Sequence, residues 1–309
     1  MSYDSTTFTI TYTIGGVTYN LDGYDPTTGL TIRFAGEDGW GMPEIDAITE
    51  RGALQNGETP IDFRFLPRTV TLSLIVQTEN YVDYLQARQK LGTIFGVSNS
   101  QGTLTVTYSS VLAGSTTTYS RSLDVLVRGG LNYGKFDYDD YVLEVTVQLR
   151  ASDPMWYDPA EASLVSTQVL TGTPTPIPTL IPTTFGGSSI SQITNINYSG
   201  TAVEYPKFII TVGATSITDL NILNQTTGKI LTFPILFAGR TYTVDLTYGY
   251  KTVVNDLGAN CIGLLSSASN LATWAIDPAL GPNAIQVTSN TANSETSVTM
   301  DYFNRYTVL

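Results

Sequence analysis

Thr69-Val70-Thr71-Leu72-Ser73-Leu74-Ile75-Val76-Gln77 alternates, placing Val70, Leu72, Leu74 and Val76 on one face. A period of two is that of a half-buried β-strand, whose successive side chains point to opposite sides of a sheet. Tyr141 to Leu149 repeats it, with Tyr141, Leu143, Val145, Val147 and Leu149 on one face. Each such strand needs a packed partner sheet over its apolar side. Working outward, Phe8–Tyr12 and Val17–Leu21 flank Gly15-Gly16. Two residues free to take positive φ suit a tight hairpin turn, so an N-terminal hairpin is expected.

Between the two alternating stretches the period changes. Tyr81, Tyr84, Leu85, Arg88, Leu91, Ile94 and Phe95 recur at helical spacing, with Asn80 placed to cap, Asp83 in the first turn and Gly96 as a stop. This predicts one helix over residues 81 to 95, covering an end or face of the first sheet structure.

The composition removes whole classes of chemistry. The chain has 309 residues, 27 acidic against 15 basic, a formal net charge of -12, no histidine and one cysteine, Cys261. Without imidazole there is no Ser-His-Asp or Cys-His pair and no HExxH zinc site. One cysteine closes no intrachain disulfide and supplies no Cys-rich metal site. With 42% hydrophobic and 14% charged residues, the chain is ordered rather than disordered. A pI near 4.3 opposes binding to phosphate backbones, which needs clustered Lys and Arg. Met1 is followed by polar Ser2-Tyr3-Asp4-Ser5, and nowhere do about 20 apolar residues run together. Neither a standard secretory signal nor a membrane span is expected.

The chain exceeds the size at which one core stops growing, so two domains are expected. The boundary is compositional: after Arg150 to Pro159 comes a stretch holding Pro174, Pro176, Pro178 and Pro182, then Gly186-Gly187. Alternating Thr and Pro favours extended, protease-sensitive chain. The reading is a domain over 1–154, a linker over 155–187 and a second domain over 188–309. Up to residue 155 there are 18 acidic and 10 basic residues, against 9 and 5 beyond it, giving -8 and -4. In the second half, strands are expected at Lys207–Val212, Lys229–Ile235, Thr241–Leu246, Ala284–Thr288 and Thr296–Phe303, with turns at Thr227-Gly228, Ala238-Gly239 and Gly281-Pro282-Asn283. The predicted class is all-β with one helix, and the second half is a β-sandwich.

Candidate chemistry reduces to structural roles. Gln225-Thr-Thr-Gly228-Lys229-Ile230 partly matches a phosphate loop, but Leu223 stands at the first glycine position and no Ser or Thr follows Lys229, so a hairpin turn is expected. Gly36-Glu-Asp-Gly39-Trp-Gly41 lacks the strand-turn-helix context of a dinucleotide site and reads as a flexible loop. Asp137-Tyr-Asp139-Asp140 lacks the calcium-loop pattern and reads as a solvated strand edge. The sequons at Asn197 and Asn224 read as coincidence, and Cys261 as a buried core thiol. Asp219, Asp245, Asp256 and Asp277 stand beside turns, where local capping is the ordinary role. No catalytic, cofactor-binding or metal-ligating residue is assigned. The sugar-contact candidates are Trp274 and Tyr248, which would stack on a pyranose ring. Large aromatics are usually well buried, so Trp274 is expected against the sandwich.

The order of features then carries a resemblance. The N-terminal hairpin is followed by Gly52, Gly57 and Arg64, the strand from Arg68, the helix with Arg88, Leu91 and Phe95, and a long strand running into Leu149 to Asp158. Further on stand Tyr205-Pro206-Lys-Phe-Ile-Ile, Asn224 to Lys229, Gly239 to Asp245, Gly281 to Ile285 and Asp301 to Tyr306. In this order the chain resembles the distal tail protein family of long-tailed, non-contractile bacteriophages. The resemblance implies a ring-forming N-terminal β-sandwich or split barrel carrying a helix, and a galectin-like C-terminal sandwich. It implies a structural virion protein, made in the host cytoplasm, whose homo-hexameric ring joins the tail tube protein to the tail-tip proteins. DNA passes such a ring without being bound; an acidic lumen would repel phosphate. It brings no enzyme activity, cofactor or membrane. The competing readings are a host-glycan adhesin, a capsid decoration protein and a glycoside hydrolase.

Overall fold

The two alternating stretches lie side by side. In the computed structural model they are antiparallel neighbours, with Leu143 opposite Val76, Val145 opposite Leu74, Val147 opposite Leu72 and Leu149 opposite Val70. The structure describes residues 5–96, 100–112, 115–134, 141–160, 162–164, 190–196, 198–291 and 296–309. The chain divides into two units, Met1–Pro159 together with Tyr306–Leu309, and Ala160–Arg305.

The first unit contains β1 (Ser5–Ile14), β2 (Val17–Asn20), β3 (Gly23–Asp25), β4 (Leu30–Asp38), β5 (Ile45–Glu50), β6 (Thr59–Phe65), β7 (Arg68–Gln77), α1 (Tyr81–Ile94), β8 (Gly102–Leu112), β9 (Ser115–Tyr133), β10 (Val142–Ala151) and β11 (Trp156–Tyr157). Its main sheet runs β2-β1-β8-β9-β10-β7-β4-β3. The 19-residue β9 is shared: residues up to Val125 pair with β8, and those from Leu126 pair with β10. The sheet therefore folds over along β9. Leu21-Asp22 joins β2 to β3, so the two end strands also adjoin, giving a flattened, nearly closed barrel. Inside lie Ile10, Tyr12, Leu104, Val106, Leu123 and Val125 from one half and Ile32, Val70, Leu72, Leu74, Val76, Val145 and Val147 from the other.

Gly15 and Gly16 have φ of 58° and 78° between the paired Ile14 and Val17, the two-residue turn that the sequence predicts. The Asn80 side chain accepts from the amides of Val82 and Asp83, a cap that contributes about 1 kcal/mol. Helix α1 buries Tyr84, Ala87, Leu91 and Ile94, and the Tyr133 hydroxyl donates to the Arg88 carbonyl. Tyr81 and Leu85, expected on the buried face, are exposed, while Ala87 takes the covered position.

The second unit contains β12 (Ala162–Leu164), β13 (Ile190–Ile196), β14 (Lys207–Thr211), β15 (Ile217–Asn224), β16 (Lys229–Leu236), β17 (Thr241–Asp245), β18 (Thr252–Asn255), β19 (Asn283–Ser289) and β20 (Ser297–Tyr302). A five-stranded sheet, β12-β20-β14-β17-β18, and a four-stranded one, β13-β19-β15-β16, form the β-sandwich. Phe208, Ile210, Val244 and Val298 meet Leu220, Ile222, Phe233 and Val287 in its core. Gly228, Gly239 and Gly281, in the three turns expected from sequence, all have positive φ. The last strand, β21 (Arg305–Tyr306), pairs with β11. Of the linker expected over 155–187, residues 161 and 165–187 lie outside the described residues, whereas Trp156 is fully buried in the first unit's core.

Candidate assembly surfaces

Among the described residues, strands β5 and β6 pair only with each other. Ile45 faces Phe65 and Ala47 faces Phe63, so alternation gathers Ile45, Ala47, Phe63 and Phe65 on one side of the hairpin. On the other side Arg64 bridges to Asp46 at 2.6 Å. The hairpin is thus largely amphipathic, with Ile48 the apolar exception beside Asp46 and Arg64, yet its apolar side meets water: Ile45 is 43% exposed, Phe63 54%, and Leu54 in the connecting turn is fully exposed. An isolated two-stranded hairpin is marginal in water, and an exposed apolar patch of this kind marks a candidate interaction surface. The sequence shows its residues but not their exposure, because the same alternation describes a strand packed on a core.

The root of the arm is the glycine-rich segment 36–41. The sequence reads it as a flexible loop; the structure corrects this. Gly36 to Asp38 end β4 through a bulge, and Gly39 turns at φ 94° where a Cβ would stand 2.1 Å from the Thr69 carbonyl oxygen. Trp40 is buried, stacked on Phe34 at 5.6 Å. The Arg68 guanidinium, almost wholly buried, fixes the segment by donating to the carbonyls of Gly39 (2.6 Å) and Gly41. It also donates to Pro154 (2.8 Å) and Thr307 (2.7 Å), so one side chain ties β7, the segment before the arm, the end of the β10 excursion and the returning residues 306–309. Burial lowers its pKa to about 10, which leaves it charged at neutral pH. Beside this clamp a cavity of about 650 Å³ is lined by Trp40, Tyr108, Tyr119, Arg121, Tyr306 and Leu309. Arg121 stacks 3.7 Å above the Tyr306 ring and lies 3.9 Å from Asp158.

In the second unit the sugar-contact candidates separate. Trp274 has no exposed surface: its ring edge meets Phe208 at 4.9 Å and its Nε1 donates to the Ile222 carbonyl. Tyr248 is 74% exposed, with Tyr250 two residues on and Tyr205 at 6.1 Å, itself beneath the Lys251 ammonium at 3.9 Å. Burial, the first cause, lowers the Lys251 pKa, and Asp245 partly opposes that shift. A Trp274→Ala variant should lose about 3–5 kcal/mol of stability from the emptied site, read by denaturant unfolding. An unfolding midpoint unchanged from the parent would contradict its core role. Tyr248→Ala, at an exposed site, should leave stability within about 0.5 kcal/mol and is the probe to use for sugar binding.

The remaining motifs take local roles. Residues 225–228 form the β15–β16 turn, with Asn224 opposite Lys229. Asn224 is fully buried, donating to Ala275 and Asn283 and accepting from Thr226 and Thr227, so its sequon offers no free amide. Asp245 accepts from Thr247 and Asp277 from Ala279, Asp256 pairs with Arg240, and Asp219 accepts from Asn290 at φ 51°. Cys261 is partly rather than fully buried: it packs against the edge of the second unit's core, where it precedes the short 3-10 turn Ile262–Leu264. Among the described residues no group of three His, Cys, Asp or Glu is placed to hold a metal; Asp137 to Asp140 and Asn197 lie outside them.

No protein-family profile and no curated protein matches the chain. Solved structures do. The Dit (gp 19.1) protein of phage SPP1, a paradigm of the hub adsorption apparatus in phages infecting Gram-positive hosts, superposes with a TM-score of 0.60 at 16% identity, covering 97% of this chain and 99% of its own. The chain has the fold of a phage Dit protein. A chain of the phage P2 baseplate in its activated, calcium-bound conformation aligns over 98% of this chain and 100% of its own, with a TM-score of 0.50 and 10% identity. The match spans both units of the chain.

Proposed function

We propose that this chain is a structural protein of a long-tailed phage virion, forming a ring at the tail tip that joins the tail tube to the tip or baseplate and lets DNA pass. The observation that carries this reading is the Dit fold spanning 97% of the chain, joined to an amphipathic arm that exposes its apolar side. An arm that docks on a different patch of the next copy makes a head-to-tail contact, and such contacts close into rings when the rotation per copy divides a full turn. Six copies is the count implied by the family resemblance. The second unit serves as a platform for a neighbouring tail protein. The exposed Tyr248 and Tyr250 favour a second reading for that unit alone, host-glycan contact by ring stacking.

The purified full chain is expected to form closed rings in negative-stain images, with a light-scattering mass several times that of one copy. Monomers alone at micromolar concentration and low salt would refute the ring.

A further inference from the structure

The turn that joins β5 to β6 contains Gln55-Asn56-Gly57-Glu58, and Asn56-Gly57 is the one asparagine–glycine pair in the chain. Both residues are exposed. Gly57 stands at φ 82°, and a Cβ built on it would meet nothing within 4 Å. Neither the Asn56 carboxamide nor the Gly57 amide takes a hydrogen-bond partner among the described residues. The neighbouring carboxamide is held at both ends, since Gln55 accepts from the Gly52 amide at 3.0 Å and donates to Thr59 at 2.7 Å. Elsewhere the side-chain carbonyls of Asn80, Asn255, Asn260 and Asn270 accept from backbone amides. The two aspartate–glycine pairs are tied to the main sheet: Asp22 accepts from the Phe34 amide, and Asp38 lies opposite Thr71.

We propose that Asn56 is a site of spontaneous covalent modification, at which the folded chain converts its own carboxamide to aspartate and isoaspartate. The Gly57 nitrogen, losing its proton to solvent base, attacks the Asn56 Cγ. A C–N bond forms, the carboxamide nitrogen takes up a proton and leaves as ammonia, and a succinimide ring closes. Water then adds to one of the two ring carbonyls. Opening at Cγ restores the peptide bond and leaves aspartate; opening at the α-carbonyl leaves the main chain running through the side chain, as isoaspartate. The balance is one water consumed and one ammonia released, with no oxidant or cofactor. Glycine speeds the attack, because no side chain crowds its nitrogen and its backbone reaches dihedral angles closed to other residues. An exposed loop tip supplies both the freedom to reach them and the water that completes the reaction. The product adds a carboxylate to a connection already flanked by Glu50 and Glu58, and the isoaspartyl form lengthens the loop by one methylene. Loop length sets hairpin register, so conversion acts on the pairing that aligns Ala47 with Phe63 on the exposed apolar side of the arm.

Trypsin, cutting after Arg51 and Arg64, releases this region as one peptide in which Asn56 is the only asparagine. Full-length protein is incubated at neutral and at alkaline pH, digested under mildly acidic conditions and mapped by mass spectrometry, with electron-transfer fragmentation to tell isoaspartate from aspartate. The peptide should split into two products, each heavier by the exchange of NH2 for OH. Its rate should rise in proportion to hydroxide and exceed that of every other asparagine. Asn56→Gln, which would have to close a larger and slower ring, should leave the peptide unconverted; conversion that persists in this variant belongs to Gln55 and overturns the assignment. A folded chain that keeps Asn56 intact, while the guanidinium-unfolded chain converts it, also overturns the proposal, because the turn would then hold the pair apart. This outcome is independent of whether the protein forms rings.

Discussion

Replacing Arg68 by methionine is expected to destabilise the first unit by about 3–5 kcal/mol, the range for losing one partner of a buried charged network. Methionine approximates the apolar stem but removes every donor. The carbonyls of Gly39, Gly41, Pro154 and Thr307 lose their shared partner at once, and each orphaned buried acceptor costs about 1–3 kcal/mol unless water reaches it. Arg68→Lys should recover only part, because a point ammonium cannot reproduce a planar fork that reaches four acceptors. Hydrogen exchange resolved along the chain is the measurement, since two units need not unfold as one transition. Faster exchange at 306–309 and in β7 is expected, with the second unit's β15 and β19 unaffected. Unchanged protection at 306–309 would show that the clamp does not hold them.

Ile45→Asp combined with Phe63→Asp should convert rings to monomers without unfolding them. Both side chains are exposed in the single chain, so each change should alter its stability by no more than about 0.5 kcal/mol. In the proposed ring they would be the anchors of the arm, and burying two unpaired carboxylates there would cost several kcal/mol. Each 1.4 kcal/mol is tenfold in affinity, so the dissociation constant should rise by about three orders of magnitude. Sedimentation at micromolar concentration would read a single slow species. Rings that persist in the double variant would remove the arm from the interface.

The core strands, the helix and the glycine turns were legible because burial there imposes its own period on the residues. Where two demands compete, the period fades. Strand β4 carries Leu30 and Ile32 inward, then a bulge between Phe34 and Gly36 breaks the alternation, and the following glycines read as a loop. The Arg68 clamp leaves no trace in composition, because its acceptors are backbone carbonyls that any residue supplies. The return of residues 306–309 to the first unit is equally silent, since β21 is a two-residue strand, too short to show a period. The polar half of the β1 alternation, Thr7, Thr9, Thr11 and Thr13, is as legible in the sequence as its apolar half. Trp274 was legible as a core residue from size alone, while the exposure of Tyr248 required the turn that holds it.

The chain leaves its first unit at Pro159 and re-enters it at Tyr306, and β11 and β21, on either side of that excursion, are paired neighbours. Residues 160–305 are therefore an insertion with its two attachment points side by side. Any compact domain whose own ends lie close together meets the same geometric requirement. A recombination event that exchanges this cassette would change what the protein presents to its surroundings while leaving the arm and the clamp untouched. The fold thus leaves the second unit free to vary while the strands that close the first unit keep their pairing.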